Sequence, residues 1–155
     1  MFLVADTQEV RHQKIRSFLP KEPAIAILLA AVDFEWTVRR AILALGTSPN
    51  SVIRKETFKH CHGEGAYKDA WKQEVQSRLG KGLPQVVPNW DFIRDKAFPL
   101  RHKVVHGLRG MPNPETTKDR VEAFLVASKA IADYAQVNGT SLFGKRLPVR
   151  QKPRK

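Results

Sequence analysis

Hydrophobic residues recur at three- and four-residue spacing along most of this chain, which is the pattern of helices that bury one face. A short first helix is predicted over about 7–18, where Asp6 and Glu9 have the spacing of a capping box. Longer helices are predicted over 23–45, 67–79, 90–107 and 114–138. No stretch alternates as a strand would. The sequence therefore predicts an all-α fold, an up-and-down helical bundle of four to five helices.

The helix predicted over 23–45 has an unusual distribution of polar residues. They form two narrow strips, Asp33, Thr37 and Arg40 on one side and Glu35 and Arg39 on the other. Both faces between the strips are apolar, and a helix that is apolar on two sides has to be covered on two sides. It is either the central helix of the bundle or shared between the bundle and a dimer interface.

Charge divides the chain into two parts. The formal net charge is +12, and residues 145–155 carry six Lys and Arg and no acid, so half of the excess lies in this segment. We therefore expect a helical domain over 1–140 and a basic, disordered tail over 141–155. A positive balance of this size attracts polyanions, of which nucleic acid is the abundant one in cells.

Two further features bear on location. A single cysteine, Cys61, excludes a disulfide within the chain and is typical of a reducing compartment. The longest uncharged apolar run, 23–32, has ten residues and is too short to cross a bilayer, and no signal-peptide pattern precedes it. These observations predict a cytoplasmic protein without a membrane partner.

The candidate chemistry lies in an Arg and a His separated by four residues, Arg101 and His106. Such spacing arises by chance, and Arg54 and His60 provide a competing match with five intervening residues. The neighbouring residues distinguish the two pairs. Only Arg101 and His106 lie in a segment with an apolar stripe, polar groups on the other side and a glycine at its end. That segment reads Leu100-Arg101-His102-Lys103-Val104-Val105-His106-Gly107.

This segment resembles the motif of the HEPN superfamily, which commonly reads Leu-Arg-Asn-x-x-Val-His-Gly. Here His102 stands where Asn or Asp is more usual. The resemblance extends to the helical plan over about 23–138. It implies a bundle of four to five helices, often dimeric, with metal-independent endoribonuclease activity and a toxin–antitoxin or phage-defence setting. It also implies RNA as substrate and an antitoxin or a nucleotidyltransferase-like protein as partner.

RNA cleavage without a metal needs a group that moves protons and a cation for the phosphate. His106 is suited to acid–base work and Arg101 to two phosphate oxygens, while His102 would orient the pair or hold the phosphate. Supporting roles are predicted for Glu35 and Asp33. Predicted phosphate contacts are Lys103, Arg109, Arg39, Arg40, Lys145 and Arg146. We expect no cofactor and no metal, since neither His102 with His106 nor His60-Cys61-His62 has a further ligand.

Helix geometry leaves an alternative open. Five residues of ideal helix separate Arg101 and His106 by about 140° around the axis. The two side chains converge if the helix ends at His106, or if a homodimer lays two copies of the motif along one composite active site. Otherwise Arg101 pairs with Glu35 or Asp33, His106 caps the helix, and the chain is a non-catalytic module that binds RNA or a protein partner.

Overall fold

The computed structural model describes residues 6–107, 110, 112–143 and 146–151, and these residues form helices and loops without a strand. Seven helical segments follow one another in the described chain. They are α1 Gln8–Phe18, α2 Pro23–Leu45, α3 over 50–60, α4 over 64–79, α5 Leu83–Val86, α6 over 90–105 and α7 Pro114–Val137. The all-α prediction is confirmed.

The number of helices exceeds the predicted four to five, because α3 and α5 were not anticipated. α3 lies in a segment without regular apolar spacing and consists of one α, one π and one 3₁₀ turn. Its buried apolar residues, Ile53 and Phe58, are five residues apart, which matches a π turn rather than an α-helix. A search for three- and four-residue spacing therefore misses it.

α2 is the central helix and contacts α1, α4, α6 and α7. At its middle, Phe34 lies against Phe98 of α6 and Phe124 of α7, with ring centroids 5.9 and 5.5 Å away. Phe98 and Phe124 meet edge to face at 5.0 Å. Such aromatic contacts add to the free energy of burial and fix the angles at which α6 and α7 cross α2.

One side of α2 stays open to solvent. Val32 is 49% exposed and Ile25 38%, and Leu28 and Leu29 between them are half-buried. These four residues, the α2 strip, lie on one face of the helix. The bundle thus covers most of α2 and leaves the α2 strip exposed or half-buried.

A buried ionic cluster joins α1 to α2. Asp33 Oδ1 accepts a hydrogen bond from Arg11 Nε at 2.8 Å, and Asp33 Oδ2 lies 3.0 Å from His12 Nε2. The Arg11 guanidinium is enclosed between the rings of Trp36 and Phe143, 4.8 and 4.6 Å from their centroids. Burial alone would raise the pKa of Asp33, but the hydrogen bonds with His12 and Arg11 hold it below its usual value.

In its described parts, 141–143 and 146–151, the C-terminal segment has several residues that contact the helices. Leu142 is buried, and Phe143 stacks on Trp36. Arg150 donates hydrogen bonds to three carbonyls at the end of α2 and just beyond it, those of Leu43, Ala44 and Ser48. This arginine thus satisfies carbonyls that the end of a helix leaves free.

No helix within the described ranges combines the length and the apolar character needed to cross a membrane.

We predict that Asp33→Asn lowers the free energy of unfolding by about 3 to 5 kcal/mol at neutral pH, because Arg11 would remain buried without its counter-charge. A carboxylate with a depressed folded-state pKa stabilises the fold above its unfolded pKa near 3.9, and this contribution disappears as pH falls through the folded-state pKa. The difference between the variant and wild type should therefore narrow below about pH 4. Urea unfolding monitored by circular dichroism across this pH range measures it.

Asp133→Asn is the matched control, since it removes a carboxylate that pairs with Lys129 on the surface of α7. Its effect on unfolding should be small at every pH. Equal losses in the two variants would show that burial of the Asp33 cluster contributes nothing to stability.

Candidate functional site

The motif residues occupy the last turns of α6, and the local sequence places them there. A π turn over Ile93–Ala97 precedes Pro99, whose ring lacks the N–H that a regular α-helix would use. The helix then continues to Val105. Gly107 follows with φ +91°, a left-handed conformation that ends the helix and that glycine adopts without strain. The irregular part of α6 is thus a wide turn just before Pro99.

His106 lies at the helix terminus as the C-cap residue, with its N–H donating to the carbonyl of His102 at 3.0 Å. The rings of His102 and His106 are neighbours, with centroids 4.2 Å apart. Both side chains belong to exposed residues. The helix ends at Val105, immediately before His106, and the two imidazoles are exposed side by side.

Arg101 faces Glu35 of α2, with 4.0 Å between Arg101 Nη2 and Glu35 Oε1. At this distance the two groups form an ion pair, but they are too far apart for a hydrogen bond. Arg101 donates no hydrogen bond to any other described residue, and a third of its side chain is exposed. The guanidinium is therefore held in place by charge while its N–H groups stay available to a ligand.

Burial raises the pKa of the Glu35 carboxyl, and the charges of Arg101 and Arg39 oppose that effect. Glu35 thus faces Arg101, and the charge of Arg101 favours the ionised form of the Glu35 carboxyl.

Arg101, His102 and Glu35 line an open pocket of about 360 Å³ at the contact of α2, α4 and α6. The pocket is also bordered by Gly63, Glu64, Arg94, Phe98 and Pro99. His106 is not part of this lining and reaches the pocket only through its contact with His102. Within one molecule the structure therefore brings Arg101 to His102 more closely than to His106.

Sequence reasoning missed Arg94 and Glu64 at this pocket. Arg94 precedes Arg101 by two turns of α6, a spacing that was visible in the sequence. Its guanidinium, however, is paired with the carboxylates of Asp91 and Asp95 at 2.9 and 2.7 Å. No sequence signal pointed to Glu64, because it comes from α4 and meets the motif only in three dimensions.

Two predicted site residues have other roles in the structure. Asp33 faces α1 and is fully engaged by Arg11 and His12, so it does not support the motif. Arg39 donates to the Tyr67 hydroxyl and to the Cys61 carbonyl, at 2.9 and 3.0 Å, and therefore secures the chain leading into α4 rather than facing outward for RNA.

The other predicted phosphate contacts fall into separate places. Lys103 borders a second pocket beside Lys96 and Arg120. Arg40 and Arg146 come together in a third pocket on another side of α2. Arg109 and Lys145 lie outside the described residues.

Among the residues with described positions, no three His, Cys, Asp or Glu side chains are grouped closely enough to hold a metal ion.

Comparison with known proteins leaves the family open: no protein-family model, no curated protein and no solved structure matches this chain.

We predict that Arg101→Met raises the pKa of Glu35 further. Of the two arginines that lower this pKa, Arg101 has the larger effect, and the carboxyl stays buried after the substitution. Titration of the side-chain carboxyl by ¹³C NMR measures this. Arg94→Met is the control: Arg94 borders the same pocket but is paired with its own two aspartates. An unchanged Glu35 titration in Arg101→Met would show that the two groups do not face each other in solution.

Proposed function

We propose that this chain is a metal-independent endoribonuclease of HEPN type that cuts RNA by attack of the 2′-hydroxyl on the adjacent phosphate. The observation that carries the proposal is Arg101, a guanidinium fixed by Glu35 with unbonded N–H groups at a pocket, next to two exposed imidazoles at a helix end. These are the groups that phosphate-ester cleavage without a metal requires.

The roles follow from the chemistry of each side chain. His106 takes the proton of the 2′-hydroxyl as its oxygen attacks phosphorus, and a proton is returned to the departing 5′-oxygen. Arg101 binds the non-bridging oxygens, where negative charge builds up in the transition state. His102 orients His106 or holds the phosphate. The products are a 2′,3′-cyclic phosphate and a 5′-hydroxyl.

A homodimer with a composite active site completes this arrangement. His106 does not line the pocket of its own subunit, so a second copy offers the means to bring another imidazole to Arg101. The α2 strip supports this, because Glu35 follows Leu28 by two helical turns on the same side and the strip thus leads to the pocket. Exposed apolar side chains beside a polar site are a typical self-association surface.

The alternative is a non-catalytic module that binds RNA or a protein partner such as an antitoxin or a nucleotidyltransferase-like protein. The observation in its favour is that Arg101 does pair with Glu35 and His106 does terminate a helix, which gives both residues a structural purpose. The toxin–antitoxin or defence setting and the cytoplasmic location belong to the proposal and derive from the sequence.

The first test is incubation of purified wild type and His106→Ala with end-labelled RNA in EDTA, followed by analysis of the cleavage ends. We expect wild type to leave 2′,3′-cyclic phosphates and His106→Ala to lose at least about 100-fold in rate, the usual contribution of a general acid–base group. His60→Ala, an exposed histidine of the competing sequence match, should cleave as wild type does. Binding without cleavage across several wild-type RNA assays would favour the module.

We predict that Val32→Glu weakens dimerisation by at least about tenfold, because the interface would then bring two copies of a charge together. Size-exclusion chromatography with light scattering over a range of concentrations measures the equilibrium. Val126→Glu is the matched control, since Val126 on α7 is equally exposed, at 49%. The composite site is wrong if wild type is monomeric at assay concentrations or if Val32→Glu leaves cleavage unchanged.

A further inference from the structure

Three arginines from different parts of the chain border one open pocket of about 740 Å³. Arg40 comes from α2, Arg54 from α3 and Arg146 from the C-terminal segment. The remaining lining consists of Asn50, Ser51, Leu147 and Val149, so no carboxylate borders the pocket. We call it the triple-arginine pocket.

Two of the three arginines of this pocket have no partner among the described residues. Neither Arg54 nor Arg146 makes a hydrogen bond or an ion pair with another described residue. Arg40 uses Nε to bind the carbonyl of Leu142, and its guanidinium lies over the ring of Trp36. Burial lowers the pKa of Arg40, and the nearby charges of Arg11 and Arg54 lower it further.

The wall formed by the C-terminal segment is held firmly. The Asn50 side chain donates to the carbonyl of Pro148 at 3.1 Å and accepts from the Arg150 N–H at 2.8 Å. Arg150 itself binds three carbonyls at and beyond the end of α2. The backbone of this wall is thus in place before any ligand arrives, so binding need not order it.

We propose that the triple-arginine pocket binds a phosphate group of the RNA backbone, at a site separate from the candidate cleavage site. Arginine forks match phosphate oxygens, and several of them around one concavity favour a multiply bonded anion over a single counterion. The Ser51 hydroxyl offers a further donor, and Leu147 and Val149 give an apolar wall for a sugar or a base. The identity of the ligand as RNA rests on the proposed function.

The position of the pocket sets its role. Glu35 and Arg40 are five residues apart on α2 and so point about 140° away from each other. An RNA strand seated at Arg101 reaches the triple-arginine pocket only by passing around α2. The pocket therefore contacts nucleotides distant from the cleaved bond, and it contributes to affinity rather than to the chemical step.

Arg54 is the residue to substitute, because it is exposed and has no partner in the described chain that its loss would disturb. A fluorescein-labelled single-stranded RNA of 20 nucleotides is titrated in EDTA against the full chain carrying His106→Ala, which prevents cleavage, with and without Arg54→Gln. We expect Arg54→Gln to weaken binding by about tenfold, the loss of one charge-assisted hydrogen bond. The slope of log affinity against log salt should fall by about 0.7, one phosphate contact on a single strand.

Lys55→Gln is the control, since it removes the same charge one residue away on α3 but does not border the pocket. Equal affinities for Arg54→Gln and Lys55→Gln would overturn the proposal, even if wild type cleaves RNA and the proposed function stands. Selective loss of binding in Arg54→Gln would support the pocket even if wild type cleaves no RNA. Thermal melts of both variants should coincide with that of the parent.

Discussion

The packing of α1 on α2 depends on the pairing of the buried Asp33 carboxylate with Arg11 and His12. An isolated charge in that position would be strongly unfavourable, so the fold has to supply Arg11 and His12 from α1. Arg11 in turn lies between Trp36 and Phe143, and the second of these belongs to the C-terminal segment. A single carboxylate thereby couples the first helix, the central helix and the end of the chain.

Glu35 lies two residues away from Asp33 and about 160° around the same helix. Here the carboxyl is less completely paired, and its pKa is raised rather than lowered because burial outweighs the nearby arginines. The two carboxyls therefore differ in role: Asp33 stabilises the fold, whereas Glu35 belongs to the candidate site. Asp33 has all its partners within the fold, whereas the Glu35 and Arg101 pair leaves donors free for a ligand.

Much of this could be predicted from the sequence where the signal is local. Apolar spacing predicted the long helices, which the structure contains, and the side chain of Asn113 caps α7. The glycine after His106 marked the true end of α6. Tertiary contacts could not be predicted in this way. The sequence assigned Asp33 a supporting role at the motif, whereas in the structure its carboxylate pairs with Arg11 and His12. Arg54 appeared only in a chance match, because its neighbours in the triple-arginine pocket are distant in the sequence.

The π turn in α6 has a consequence for the rotational phase of the motif. A bond from residue i to i+5 encloses one residue more than an α-helical turn, and each residue advances the helix by about 100°. The direction in which Arg101 points is therefore fixed upstream, in the wide turn over Ile93–Ala97. Loss of one residue from that turn would keep the motif intact in sequence while turning its arginine about a quarter of a revolution away from Glu35. Two chains with identical motif letters would then differ in whether the motif forms a site at all.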